Sequence, residues 1–149
     1  WQYPASTEAA FTADGWYRTG DYGEIDADGA LRLVGRTRSL IALPNGMNVH
    51  PEDVEAALDA EGIVEPVVYD AGAGRIAVAY RAGAAFGDPV DDEAGAVARA
   101  VKAANAHLAQ HQRVVEYAPY PEPDFPRTHT RKVQRSVVTA RMVEVRAAA

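Results

Sequence analysis

The chain has 149 residues and a mass of 16.0 kDa, enough for one compact domain or one domain with a piece of a second, and too few for two complete ones. Its 15 Lys+Arg against 21 Asp+Glu give a net charge of −6, which argues against a sequence-independent grip on nucleic-acid phosphates or on an anionic membrane surface. Cysteine is absent, which removes disulfides, thiolate metal sites and a cysteine nucleophile together and makes the reducing cytoplasm the expected location; no apolar run approaches the roughly 20 residues of a membrane-spanning helix.

Residues 1–14 are polar, carry Pro4 and show no clear period. Asp28-Gly29, set between Glu24-Ile25-Asp26 and Leu31-Arg32-Leu33-Val34, predicts two strands joined by a tight turn. Gly35-Arg36-Thr37-Arg38 then interrupts the apolar pattern and marks a domain boundary, after which Leu40-Ile41-Ala42-Leu43 forms a short strand stopped by Pro44-Asn45-Gly46. His50-Pro51-Glu52-Asp53 opens a helix, with proline where no N–H is needed and acids in the first turn, and Gly62 can end it. Ile63 to Asp70 and Arg75 to Arg81 flank Ala71-Gly72-Ala73-Gly74 and should be antiparallel neighbours. Beyond Asp91-Asp92, the residues Ala94, Val97, Val101, Ala104 and Leu108 fall on one face of a helix of about five turns. Val114 to Tyr117 is a candidate strand. The prolines at 119, 121, 123 and 126 exclude regular structure and deliver an extended chain to Arg127-Thr128-His129-Thr130-Arg131-Lys132, with a last helix from about 133 to 145.

The sum is an α+β protein: residues 36–149 form a small domain with a short antiparallel sheet flanked by helices, and residues 1–35 form a strand-rich piece whose Trp16, Tyr17 and Tyr22 need a partner surface. Few local signals carry chemistry on their own. Only Lys102 and Lys132 among the 15 basic residues are lysines, and residues 112–149, which hold Lys132, carry seven basic against four acidic side chains. His107 and His111 have the spacing at which one helix face holds a metal, but no third ligand stands at suggestive spacing, so no metal site is expected. His50 and His129 lack the nucleophile and orienting acid of a hydrolase. Read locally, Asp21 is a turn-capping residue whose carboxylate could also accept two ribose hydroxyls, Arg36 is a surface ion-pair partner whose planar fork of donors also suits ribose or phosphate oxygens, and Gly46 is a turn glycine.

Four segments in register bear a resemblance that no single one would establish. Gly15-Trp16-Tyr17-Arg18-Thr19-Gly20-Asp21, Gly35-Arg36, Asn45-Gly46-Met47-Asn48-Val49-His50-Pro51-Glu52-Asp53-Val54-Glu55, and Pro126-Arg127-Thr128-His129-Thr130-Arg131-Lys132 stand in the order and spacing of the adenylate-forming enzymes. The chain resembles the C-terminal domain of that superfamily with the end of its large N-terminal domain attached, and its glycine loop and Pro-Arg-Thr-x-Thr-x-Lys ending look most like those of long-chain fatty acyl-CoA synthetases. The resemblance implies activation of a fatty acid with ATP and Mg²⁺ to an acyl-adenylate, then transfer to coenzyme A. It assigns catalysis to Lys132, nucleotide binding to Asp21 and Arg36, the hinge between the two half-reactions to Arg38, and the wall of the pantetheine channel to Gly46. Two departures stand out: Arg38 occupies a hinge position that is commonly Asp or Lys, and Arg131 precedes the lysine where the family usually has glycine. The phosphate loop and acyl pocket would lie in the N-terminal domain as partner, so the chain reads as a fragment that is inactive alone. Two further readings remain: an adenylation domain that loads a carrier-protein thiol, and a non-enzymatic binding module.

Overall fold

In the computed structural model, which describes residues 4–148 and leaves aside the side chains of Pro4, Ser6, Val34, Arg36 and Arg38, the chain parts between Leu40 and Ile41 into two units. The first unit opens with a helix that the sequence did not lead us to expect, α1 (Pro4–Ala9). Proline suits its first turn, where amides lack partners in any case, and six residues are too few for a hydrophobic period to register. The expected hairpin follows as β1 (Asp21–Ile25) and β2 (Leu31–Arg36), antiparallel and closed by Asp26, whose Oδ1 accepts from the Asp28 and Ala30 amides at 3.0 and 2.9 Å. A single 3-10 turn, Thr37–Ser39, comes next. This unit leaves apolar side chains in the open: Trp16 is 74% exposed, and Tyr17, Ile25, Leu31 and Leu33 are likewise exposed. Grouped apolar exposure of this kind marks an interaction surface.

The second unit begins with a small hairpin, β3 (Ile41–Ala42) and β4 (Asn48–Val49), wrapped around Pro44-Asn45-Gly46. Helix α2 (Pro51–Ala60) starts on its proline with Glu52 and Asp53 in the first turn, and buries Val54 and Leu58, one turn apart. Strands β5 (Val67–Asp70) and β6 (Ile76–Arg81) form the expected antiparallel pair. Helix α3 (Glu93–His107), capped by Asp92 through the Gly95 amide at 3.0 Å, leads to β7 (Glu116–Tyr120), and α4 (Arg135–Ala147) closes the unit. The three-stranded sheet has the order β5-β6-β7, with β7 parallel to β6.

Strand alternation decides which helix goes where. On β6, Ile76, Val78 and Tyr80 point into a core shared with Val54 and Leu58 of α2 and Val97 and Val101 of α3. Ala77 and Ala79 point the other way, into a core built with Val138 and Met142 of α4 and with Tyr120 and Phe125. Two helices thus cover one face of the sheet and α4 covers the other.

The α+β class holds, and four details differ from expectation. The antiparallel pair gains a parallel third strand, and that strand runs through Pro119; a proline is tolerated there because β7 is an edge strand. Strand β5 starts at Val67 rather than Ile63, since Glu65 adopts a left-handed φ of 50° just before Pro66. Helix α3 has about four turns rather than five, because Leu108 turns extended. Helix α4 begins two residues late, because Val133 is paired with Arg127 in an antiparallel bridge. Among the described residues no helix is long and apolar enough to cross a membrane.

Candidate functional site

Lys132 sits on a tight loop whose stems are bridged by Arg127 and Val133. Thr128 organises the loop: its N–H donates to the Lys132 carbonyl at 2.8 Å, its carbonyl accepts from the Arg131 N–H at 2.9 Å, and its Oγ1 accepts from the Lys132 N–H at 3.2 Å. Arg131 takes a φ of 63°, the left-handed conformation that glycine adopts freely and that costs another residue roughly 1–2 kcal/mol. Arg131 therefore holds a backbone shape that a glycine would take at no steric cost. The Lys132 side chain is exposed, and its ammonium has no partner among the described residues. By contrast, Arg127, Arg135, Arg141 and Arg146 all engage carboxylates or carbonyls.

The loop is fastened at its root by Arg127, whose five N–H donors are all used. Nε and Nη2 donate to the two Asp124 carboxylate oxygens, each at 3.1 Å, while Nη1 and Nη2 donate to the two Glu65 oxygens at 3.0 and 2.8 Å. The remaining Nη1 hydrogen goes to the Arg131 carbonyl at 3.2 Å, and the Gln134 amide donates to the Arg127 carbonyl at 2.8 Å. The hydrogen bond from Arg127 holds the Glu65 carboxyl below its ordinary value despite partial desolvation, with further help from Arg81, 3.9 Å away. Asp124 is lowered for the same first reason, and Arg127 is raised in turn. Glu65 and Arg127 lie 62 positions apart, and no local pattern links them.

Gly46 lies at the tip of the β3–β4 hairpin with φ 81°, and its N–H donates to the Leu43 carbonyl at 2.9 Å. A Cβ at Gly46 would meet nothing within 4 Å, so here glycine answers to the backbone's conformation, with open space left above it. The hairpin rests on the β5–β6 turn: a Cβ at Gly74 would come within 2.6 Å of Pro44 Cδ and 3.1 Å of Leu43 Cδ2. A cavity of about 380 Å³ opens beside this contact, lined by Pro44, Asn45 and Gly74 together with Arg75, His111 and Arg113. The Lys132 loop is tied to Glu65, just before β5, whereas the Gly46 loop packs on Gly74, just after it. The two loops are therefore fastened to opposite ends of one hairpin.

Asp21 opens β1, half-buried, with its N–H donating to Thr19 Oγ1 at 3.1 Å. The ribbon's register sets it across from Arg36, so the two nucleotide candidates meet at one end of the hairpin; the side chains of Arg36 and of Arg38, which lies in the 3-10 turn, fall outside the description. His107 and His111 do not share a helix face, because α3 ends at His107 and His111 belongs to a separate 3-10 turn, Gln110–Gln112. Among the described residues no group of three or more His, Asp or Glu is arranged to hold a metal.

The chain belongs to the family of AMP-binding enzyme C-terminal domains, whose model matches residues 38–145. Its relatives differ in what they are named for. It is 50% identical over 56 residues to the nonribosomal peptide synthetase atqA of Aspergillus terreus, a match covering 38% of this chain and 6% of that protein. It is 40% identical over 68 residues to the long-chain-fatty-acid–CoA ligase FadD15 of Mycobacterium tuberculosis, covering 46% of this chain and 11% of the ligase. Among solved structures, ATP-bound MatB from Rhodopseudomonas palustris superposes with a TM-score of 0.69 at 26% identity, over 97% of this chain and 28% of that one. The chain thus spans a small fraction of each of these relatives.

Proposed function

We propose that this chain serves an enzyme that joins a fatty acid to ATP as an acyl-adenylate, releasing pyrophosphate, and then passes the acyl group to the thiol of coenzyme A. Lys132 carries the first step. An ammonium on a long flexible stem, held out from a braced loop with no partner among the described residues, can bridge the attacking carboxylate and the α-phosphate and stabilise the charge that builds as pyrophosphate leaves. Asp21 would accept the ribose hydroxyls, Arg36 would contact the nucleotide, and Mg²⁺ would enter with the ATP phosphates as part of the substrate. Gly46 would border the path of the thiol arm in the second step, with Arg38 absorbing the backbone rotation that exchanges one loop for the other. Attachment of the two loops to opposite ends of the β5–β6 hairpin supports this exchange, since one rigid body can offer one loop or the other to a single site.

The single observation that carries the reading is the exposed ammonium of Lys132 on its fastened loop. In the full-length enzyme, Lys132→Ala should lower pyrophosphate exchange by roughly 100-fold or more, the scale of losing one charge-stabilising donor, while thioester formation from supplied acyl-adenylate largely survives. Equal loss in both half-reactions would sink the exchange of loops. The likeness to a nonribosomal peptide synthetase favours a second reading, in which the acceptor is a carrier-protein thiol. Offering coenzyme A and a phosphopantetheinylated carrier side by side to the adenylated enzyme separates the two.

A further inference from the structure

We propose that Arg127 is the positioning residue for Lys132: its guanidinium fixes the lysine's loop in the shape that adenylation requires, a role that deepens the reading of Lys132 given above and rests on it. Arg131 sets the requirement. A non-glycine residue at φ 63° is held against its own preference, and the loop must supply what holds it. Two restraints act on that residue's peptide groups: the Arg131 N–H is tied to Thr128 within the loop, and the Arg131 carbonyl is tied to Arg127 Nη1 at 3.2 Å. The second restraint reaches outside the loop. Through the same guanidinium, Arg131 is linked to Glu65 at the start of the sheet and to Asp124 in the proline-rich approach.

The geometry calls for arginine specifically. Five donors meet five acceptor contacts from three directions in one plane, and a lysine ammonium, with three donors and no fork, cannot reproduce the set. Arg127 is only 24% exposed, and its guanidinium is fully engaged, so it has no donor left for a substrate; it acts through the loop. Glu65, itself left-handed at φ 50°, receives both oxygens' worth of this grip, so two strained backbone positions from distant parts of the chain are braced by one side chain.

The test compares Arg127→Lys, Glu65→Gln and Lys132→Ala in the full-length enzyme, in both half-reactions. Arg127→Lys should lower adenylation roughly 10- to 100-fold, the scale of a misplaced catalytic group, and leave acyl transfer from supplied acyl-adenylate within about twofold. Glu65→Gln should act in the same sense with a smaller loss. In parallel, amide hydrogen exchange at Arg131 and Lys132 should quicken in Arg127→Lys while amides of the central strand, such as those of Ala77 and Val78, keep their protection, which separates loosening of the loop from unfolding. Adenylation within twofold of the parent, or equal loss in both half-reactions, overturns the positioning role if Lys132→Ala still separates the half-reactions. If Lys132→Ala fails to separate them, the reading of Lys132 falls and the role of Arg127 falls with it.

Discussion

Lys132 and Lys102 are indistinguishable by composition, and what separates them is the backbone beneath. Lys102 lies on the solvent side of α3, whereas Lys132 projects from a loop in which Thr128, Arg127 and a left-handed Arg131 fix the peptide groups on either side. That difference carries a pH dependence. Glu65 and Asp124 have carboxyls held below their ordinary values of 4.5 and 3.8, so their grip on Arg127 is complete above that range and is lost as pH falls through the lowered values. Exchange protection at the Lys132 amide, corrected for intrinsic rate, should therefore be flat from neutral pH to about 5 and fall below 4; a decline centred near 6 would point instead to a histidine. Gly46 makes the opposite kind of prediction. Its φ of 81° costs a leucine roughly 1–2 kcal/mol, but the space above it is empty, so Gly46→Leu should lower stability by about that backbone cost with no added steric loss. In the full-length enzyme it should spare adenylation and hinder acyl transfer, and unhindered transfer would remove this loop from the thiol's path.

At the level of elements, the exposed edge of β5 explains an ion pair that would otherwise look decorative. Val68 turns its N–H and C=O outward, and they are met by Glu55 of α2, which accepts at 2.8 Å, and Arg135 of α4, which donates at 3.1 Å. Arg135 and Glu55 also bond one another through Nη1 and Nη2 of the guanidinium, so helices from the two faces of the sheet are joined around its edge. Burial works against the Arg135 charge, and the hydrogen bonds and attraction of Glu55, with Glu52 beyond, more than offset it. Arg135→Ala should destabilise the domain by about 3 kcal/mol, read as a lower urea midpoint, because it strands a half-buried carboxylate. Arg32→Ala, on a pair exposed at both ends, should cost about 0.5 kcal/mol or less. The helix starts at Pro51 and after Asp92, the Asp28-Gly29 turn and the β5–β6 pair were legible because each has a local cause in proline, capping, turn chemistry or period. Helix α1, the two-residue strand β4 and the parallel placement of β7 were not, since the first two are shorter than any period and the third is decided by which edge of the sheet remains open. The candidate site divides the same way: Lys132 and Gly46 stand in contiguous motifs, while Glu65 joins the lysine's loop only through folding.

For the whole molecule, every member of both buried cores comes from Ile41 onward. Residues 41–149 should accordingly fold alone, with one cooperative transition and a urea midpoint close to that of the 149-residue chain; a broad or missing transition would mean that the first unit supplies part of the core. Both tryptophans lie in the first unit, and the described one, Trp16, is largely in solvent. Its emission should shift to the blue when the large adenylation domain we propose as partner is present in the same chain. The attachment of two loops to the two ends of the β5–β6 hairpin has a mechanical meaning as well. If both loops work as proposed, the sheet acts as a lever between them, and a turn that carries one loop toward a fixed point carries the other away. In the full-length enzyme, probes near His129 and Asn45, each measured against a third on the partner domain, should report distances that change in opposite directions during turnover.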